Sequence, residues 1–290
     1  MLFSAYGIGI DSELPLTGLP APRGKQLLTL KLKSGCFHRL DITGRCEETV
    51  AEGYRYSKLV WGEHPLLYIE GVGDFHLRPQ ESSICCMLVP GIDRDMARYW
   101  VINFVLPVFL LLNGRFEIFH GSAVDIGNGG VAFLAESMGG KSTLANFFVR
   151  QGHALLSDEH LGIVQQQGFC VVPSVPYIRA FRMAEVLGDP VERFAPQPLP
   201  LRAIFLLDLG EEPARVVPLT DGGVLAALAG KCHLSRKLNF LNFTKERFSR
   251  LAELAEAVPV AKLCVPRDLS RLPEVYETVL SHLGEPHDSI

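Results

Sequence analysis

The chain has 290 residues, with 28 Lys plus Arg against 32 Asp plus Glu, a formal net charge of −4. A balance this close to neutral lacks the clustered cations of a sequence-independent nucleic-acid binder or a polybasic membrane anchor. Apolar residues make up 48% and charged residues 21%, which excludes a disordered chain, and the length allows one large core or two.

The opening stretch, MLFSAYGIGIDSELP, lacks the charged-then-apolar layout of an export signal, so a cytoplasmic location is expected. Its glycines and prolines, Gly7, Gly9, Pro15, Pro20 and Pro22, predict an edge strand followed by a loop. Short apolar runs at Leu27 to Leu32 and Leu66 to Glu70 predict further strands. Residues 1–92 are therefore expected to form an N-terminal β-rich module. The seven cysteines have irregular spacing and no CxxC pair, which gives no support to a zinc ribbon or a redox motif. Cys85 and Cys86 sit in the apolar run SSICCMLVP and are expected to be buried thiols of a reducing compartment.

From Asp93 to Leu112 helical spacing takes over, with Met96, Tyr99, Trp100, Phe104 and Val108 on related faces. The apolar stretch Trp100 to Leu112 is thirteen residues long. A membrane-spanning helix needs roughly 20, so a buried core helix is expected, kinked by Pro107.

Residues 93–290 then read as a larger α/β core. Phe116 to Val124 and Val131 to Ala135 predict two strands joined by a turn at Gly127-Asn128-Gly129-Gly130. Thr143 to Gln151 predicts a helix, and His153 to Ser157 a strand that ends in Asp158-Glu159. Short strands follow within 161–175 and 201–218, separated by a loop holding Pro196, Pro198 and Pro200. Gly222 to Leu228, Thr244 to Ala257 and Leu272 to Leu283 predict helices, with a strand at Val260 to Val265 between the last two.

The sharpest motif is Ala135-Glu136-Ser137-Met138-Gly139-Gly140-Lys141-Ser142-Thr143, between a predicted strand and a predicted helix. It fits a phosphate-binding loop with Ala in place of the first Gly. Gly139 and Gly140 let the backbone curl so that its N–H groups converge on phosphate oxygens, and the positive end of the new helix favours the anion. Lys141 reaches the β- and γ-phosphates and Ser142 ligates Mg²⁺. Glu136 to Thr143 are thus the candidate nucleotide-binding residues.

Asp158 and Glu159 end the strand beside this loop, where one acid holds the metal and the other accepts a proton. Ser142, Asp158 and Glu159 are the candidate metal ligands. His120, in His120-Gly121-Ser122-Ala123-Val124-Asp125, lies on the strand preceding the loop strand. By chemistry alone it is as readily structural as functional. The remaining histidines show no ligand spacing and are read as surface or structural. Arg179 and Arg182 in YIRAFR, and Arg236 and Lys237 in HLSRK, are read first as solvated faces, with phosphate or acidic-substrate contacts as the alternative.

The order of His120-Gly121, the phosphate loop, and Gly152-His153 with Asp158-Glu159 resembles the HPr kinase/phosphorylase catalytic domain over about residues 115–165. A weaker likeness extends over nearly the whole chain. It runs through Tyr6-Gly7-Ile8-Gly9-Ile10-Asp11-Ser12-Glu13-Leu14-Pro15, Leu201 to Leu207, Val258-Pro259-Val260 and Pro266-Arg267-Asp268-Leu269. These are similar to HPr-kinase-like proteins of peptide natural-product systems such as lasso peptides. The resemblance implies an α/β fold with a P-loop kinase core of the PEP-carboxykinase/HPr-kinase type. It implies an ATP-dependent, Mg²⁺-requiring kinase for a serine hydroxyl on a peptide or small protein. It assigns Asp158, His120 and Lys141 to catalysis and Ser142, Asp158 and Glu159 to the metal. The chain departs from the family in Ala135, in Ser-Met-Gly-Gly where the family has Ser-Gly-x-Gly, and in Glu159 for a second Asp. The arginine-containing loop used for HPr docking and phosphorylase activity has no counterpart here. A sugar or polyol kinase of the same fold, or a non-catalytic nucleotide-dependent sensor, are the alternatives. No nucleic acid or membrane is expected as a partner, and a homo-oligomer is compatible with either reading.

Overall fold

In the computed structural model, residues 1–35, 46–51, 55–62, 64–179, 185–210, 213–219, 221–232 and 245–284 are described. The first eight strands are β1 (Leu2–Ala5), β2 (Ile8–Ser12), β3 (Thr29–Ser34), β4 (Cys46–Ala51), β5 (Arg55–Val60), β6 (Leu66–Ile69), β7 (Gly73–Arg78) and β8 (Ser83–Leu88). They form one sheet in the order β1-β2-β3-β8-β7-β6-β5-β4. The expected N-terminal edge strand is β1, at the edge of this sheet, and it forms a hairpin with a second strand, β2, before the loop. Tyr6 and Gly7 turn it with φ of 52° and 67°. A tyrosine in the left-handed region gives no sequence signal for a tight turn, which is why the reading missed it. Along β3, Leu30 and Leu32 are buried while Lys31 and Lys33 are exposed, the period-two pattern of a half-buried strand. Cys86 is buried, which pushes its thiol up to about 12, while Cys85 is only half-buried. Among the described residues Cys85, Cys86, Cys170, Cys232 and Cys264 are in no disulfide.

The apolar run becomes a helix laid on this sheet. It starts at α1 (Arg94–Trp100), whose cap Asp93 accepts hydrogen bonds from the Asp95 and Met96 N–H groups. A π turn follows at Val101–Val105, then α2 (Leu106–Asn113), ended by Gly114 in a left-handed conformation. The Leu106 N–H bonds back to the Val101 carbonyl, one residue further than in an α-helix. The irregularity expected at Pro107 is thus taken up as one extra residue in the preceding turn. Proline has no N–H to give to the previous turn, and a π insertion accommodates that loss. Arg94–Asn113 is long and apolar enough to cross a membrane, yet 78% of its apolar window is buried inside the protein. Trp100, Phe104 and Phe109 share a core with Leu30, Ile69, Phe75 and Ile84 of the sheet, and the same core continues into Phe116 and Ile118.

The second half holds β9 (Phe116–Asp125), β10 (Gly130–Leu134), α3 (Lys141–Arg150), β11 (Ala154–Ser157), β12 (His160–Gln165), β13 (Phe169–Val172), β14 (Tyr177–Ile178), β15 (Asp189–Pro190), β16 (Leu199–Gly210), β17 (Arg215–Pro218), α4 (Asp221–Lys231), α5 (Lys245–Ala257), β18 (Val260–Pro266) and α6 (Leu272–Leu283). The predicted elements are present within a few residues. Its sheet runs β10-β9-β12-β13-β16-β18-β17. Because β10 also pairs with β16, in parallel, the pairings close a ring of five strands. β10 is buried on both faces, as its unbroken apolar sequence requires. Val131 and Phe133 pack with Leu144 and Phe148 of α3 and Val275 and Val279 of α6. Ala132 and Leu134 pack with Leu228 of α4 and Leu251 and Leu254 of α5. The chain is a mixed α/β protein with helices on both sides of its central parallel strands.

Glu185 ties separate elements together. Its carboxylate pairs with the Arg55 guanidinium of β5 and accepts the Trp100 indole N–H of α1 at 2.7 Å. The Arg55 hydrogen bond holds the carboxyl below its ordinary value. A depressed carboxylate contributes stability above its unfolded pKa, about 4.3, and loses it as pH falls through the lowered folded value. Glu185→Gln should therefore cost about 1–3 kcal/mol at neutral pH. In urea denaturation the gap to wild type should shrink below pH about 4. A gap of equal size at pH 7 and pH 3 would contradict this role.

Candidate functional site

The site is built around the middle of β9. On one side β10 pairs Phe133 with Ser122 and Leu134 with Gly121, so β10 ends, and the glycine-rich loop begins, level with His120. On the other side β11 pairs Ser157 with Ala123 and β12 pairs His160 with His120. The register is the same on both sides of the interruption between them. Asp158 therefore stands opposite Ser122, and Glu159 opposite Gly121. Both β10 and β11 run antiparallel to β9, hence parallel to each other, and α3 is the crossover between them. Their carboxyl ends open on one edge, where ligands of α/β sheets collect. Gly121 is required by close approach: a Cβ there would lie 2.4 Å from Leu134 Cδ2 and 3.0 Å from the Phe133 carbonyl oxygen.

Asp158 is 5% exposed and is met by three donors. The Ser122 hydroxyl donates to Oδ1 at 2.5 Å and the Ser142 hydroxyl to the same oxygen at 2.8 Å. The Arg179 backbone N–H donates to Oδ2 at 2.8 Å. Burial pushes this carboxyl above its usual range, the three hydrogen bonds pull against that, and the Glu159 charge adds to the rise.

Glu159 has φ of 73°, which breaks the strand and turns its side chain to other partners. Its carboxylate lies 3.6 Å from His120 Nδ1 and 3.7 Å from an Arg179 terminal nitrogen. His120 Nδ1 also lies 3.2 Å from the Glu159 carbonyl oxygen. The Arg179 guanidinium sits over the Tyr99 ring, 5.5 Å from its centroid. Arg179 is 9% exposed, so the expected solvated face is corrected: it is a buried cation beside the acid pair. Arg182, Arg236 and Lys237 lie outside the described residues. His153, read as structural, bridges the Asp125 carbonyl and the Tyr276 hydroxyl.

The loop itself runs from Ala135 to Gly140. Met138 and Gly140 take left-handed φ values of 62° and 82°, and α3 begins directly after Gly140, two residues before the expected start. The Gly139 N–H and the Lys141 ammonium both donate to the Glu136 carbonyl, each at 3.0 Å. Lys141 is buried. Glu136, Ser137 and Met138 are exposed, while Gly139, Gly140, Ser142 and Thr143 are half-buried. Of the candidate residues, Ser142 and Asp158 are in direct contact, and His120 and Glu159 form the adjoining group. Ser122 and Arg179 were missed as partners of Asp158; the only sequence signals were their neighbours His120-Gly121 and YIRAFR.

The Ser142 hydroxyl and the Asp158 carboxylate are oxygen donors, the class that Mg²⁺ takes. Their 2.8 Å separation is that of the hydrogen bond between them. The Glu159 carboxylate is instead engaged with His120 and Arg179. Among the described residues no group of three or more His, Cys, Asp or Glu is arranged to hold a metal.

No protein-family model matches the chain, and no curated protein matches it. Among solved structures it is similar to the Hpr(Ser) kinase/phosphatase from Coxiella burnetii, with 16% identity and a TM-score of 0.34, over 57% of this chain and 95% of that one.

Gly121→Ala should lower stability by about 1–3 kcal/mol, because the added methyl forces β9 and β10 apart. Thermal melting reads this directly. An unchanged midpoint would show that the strands can absorb the methyl, and that their spacing does not depend on this glycine.

Proposed function

We propose that the chain is an ATP-dependent, Mg²⁺-requiring phosphotransferase whose acceptor is a serine hydroxyl of a peptide or small protein. The observation that carries this reading is the buried Asp158 carboxylate, bonded to Ser142 in the first turn of α3 and placed at the edge where the loop begins. The loop N–H groups and the start of α3 receive phosphate oxygens, and Lys141 exchanges the Glu136 carbonyl for the β- and γ-phosphates. Ser142 and Asp158 would hold Mg²⁺, which would neutralise phosphate charge. The acceptor oxygen attacks the γ-phosphorus, the bond to the β,γ-bridging oxygen breaks, and ADP leaves. Asp158 takes the hydroxyl proton. His120 and Arg179 brace Glu159 beside it. The order of the three motifs, similar to that of HPr kinase/phosphorylase, supports the serine acceptor.

The test is transfer from γ-labelled ATP to serine-containing peptides encoded beside the gene, run in parallel with a sugar and polyol pool. Incorporation into peptide is expected, with a fall of at least about 100-fold in Lys141→Ala and in Asp158→Asn. Full turnover in both variants overturns the mechanism. Labelling confined to the sugar pool overturns the acceptor, and ATP binding without transfer to any acceptor overturns the enzyme reading.

A further inference from the structure

Helix α4 ends on Lys231, whose ammonium lies 2.7 Å from Glu136 Oε1. Glu136 is the first exposed residue of the phosphate loop. Its carbonyl already accepts the Lys141 ammonium and the Gly139 N–H. One loop residue therefore engages two lysines, through its backbone and its side chain, and the second comes from a distant part of the sequence. The position of Lys231 is fixed from a second direction. Cys232, the next residue, forms an antiparallel bridge with Phe119, the neighbour of His120, and is itself buried. The end of α4 is thus held between the loop and the stretch of β9 that faces the acid pair.

The pairing with Glu136 is not one that a bound polyphosphate would leave intact. The Lys231 side chain is 22% exposed and that of Glu136 is 59% exposed. With the carboxylate open to water, the pair is weakened by solvent screening. A terminal phosphate carries more charge than one carboxylate and offers three acceptor oxygens, so it competes well for the same ammonium. Glu136 also lies beside the seat of the phosphates, where its own charge opposes theirs.

We propose that Lys231 is a second phosphate-binding cation, and that Glu136 is its resting counter-ion. In the nucleotide complex the Lys231 ammonium leaves the Glu136 carboxylate and contacts the terminal phosphate, on the side facing His120 and Asp158. The chemical class of the ligand is a nucleoside triphosphate, distinguished from the diphosphate by this contact. The proposal rests on the reading of the loop as a nucleotide site. It differs from the ordinary role of a lysine at a helix carboxyl end, which stabilises the helix and would be indifferent to phosphate number.

Binding of ATP and of ADP to the full chain, each with Mg²⁺, separates these roles by calorimetry. Lys231→Gln should weaken ATP by about 10-fold and leave ADP nearly unchanged. Glu136→Gln should tighten ATP, because the lysine is released and a repulsive charge is removed. The gain should shrink when the two substitutions are combined. Melting midpoints report any structural loss separately. An ATP-to-ADP affinity ratio that is the same in wild type and Lys231→Gln overturns the proposal while leaving the nucleotide site standing. Failure of the wild-type chain to bind either nucleotide overturns the site reading itself, and this proposal with it.

Discussion

A carboxylate removed from water must be met by donors or cations, or it gives up its charge. Asp158 is met by donors drawn from three parts of the chain: Ser122 on β9, Ser142 at the start of α3, and the Arg179 backbone N–H beyond β14. Each of these elements is therefore fixed by a common point. β9 must sit in register with β11 and β12, α3 must begin immediately after the loop, and the chain after β14 must return to the edge of the sheet. If any one moved, a buried charge would lose a partner in a medium where that loss is costly. The start of α3, and with it the glycine-rich loop, is tied to the acid pair through this one group.

The two halves meet in the same neighbourhood. The Tyr6 N–H and the Gly7 N–H donate to the carbonyls of Ser174 and Pro173, and the Tyr6 hydroxyl donates to the Ile102 carbonyl inside the π turn. Tyr99, one turn earlier in the helix, lies under the Arg179 guanidinium. The apolar helix thus touches the first sheet on one side and the cation that holds Glu159 on the other.

What was legible in the sequence follows from local physics. The loop showed itself because two glycines and a lysine fall between an apolar strand and an amphipathic helix. The acid pair showed itself because it ends the next apolar run. What was hidden depends on register and on turns. Ser122 is one polar residue on a buried strand, and only the pairing of β9 with β11 gives it Asp158 as a partner. Arg179 reads as a surface cation until the backbone turn that precedes it is known. Tyr6 takes a conformation that glycine would have advertised, and the π turn before Pro107 leaves no mark in an apolar sequence. Lys231 lies on a helix well separated in sequence from the loop, and nothing local links it to Glu136.

The buried helix also governs how the protein can be divided. The glycine-rich loop, the acid pair and α4 all lie after residue 113, yet Trp100, Phe104 and Phe109 share their core with Leu30, Ile69, Phe75 and Ile84. A fragment starting at Asp93 would keep the loop and the acids and lose that cover. It would turn one side of the Arg94–Asn113 helix, with its thirteen-residue apolar run, to water, and would associate with lipid or with other copies of itself. The first sheet is thus the solubilising shell of a helix that the second half cannot enclose alone.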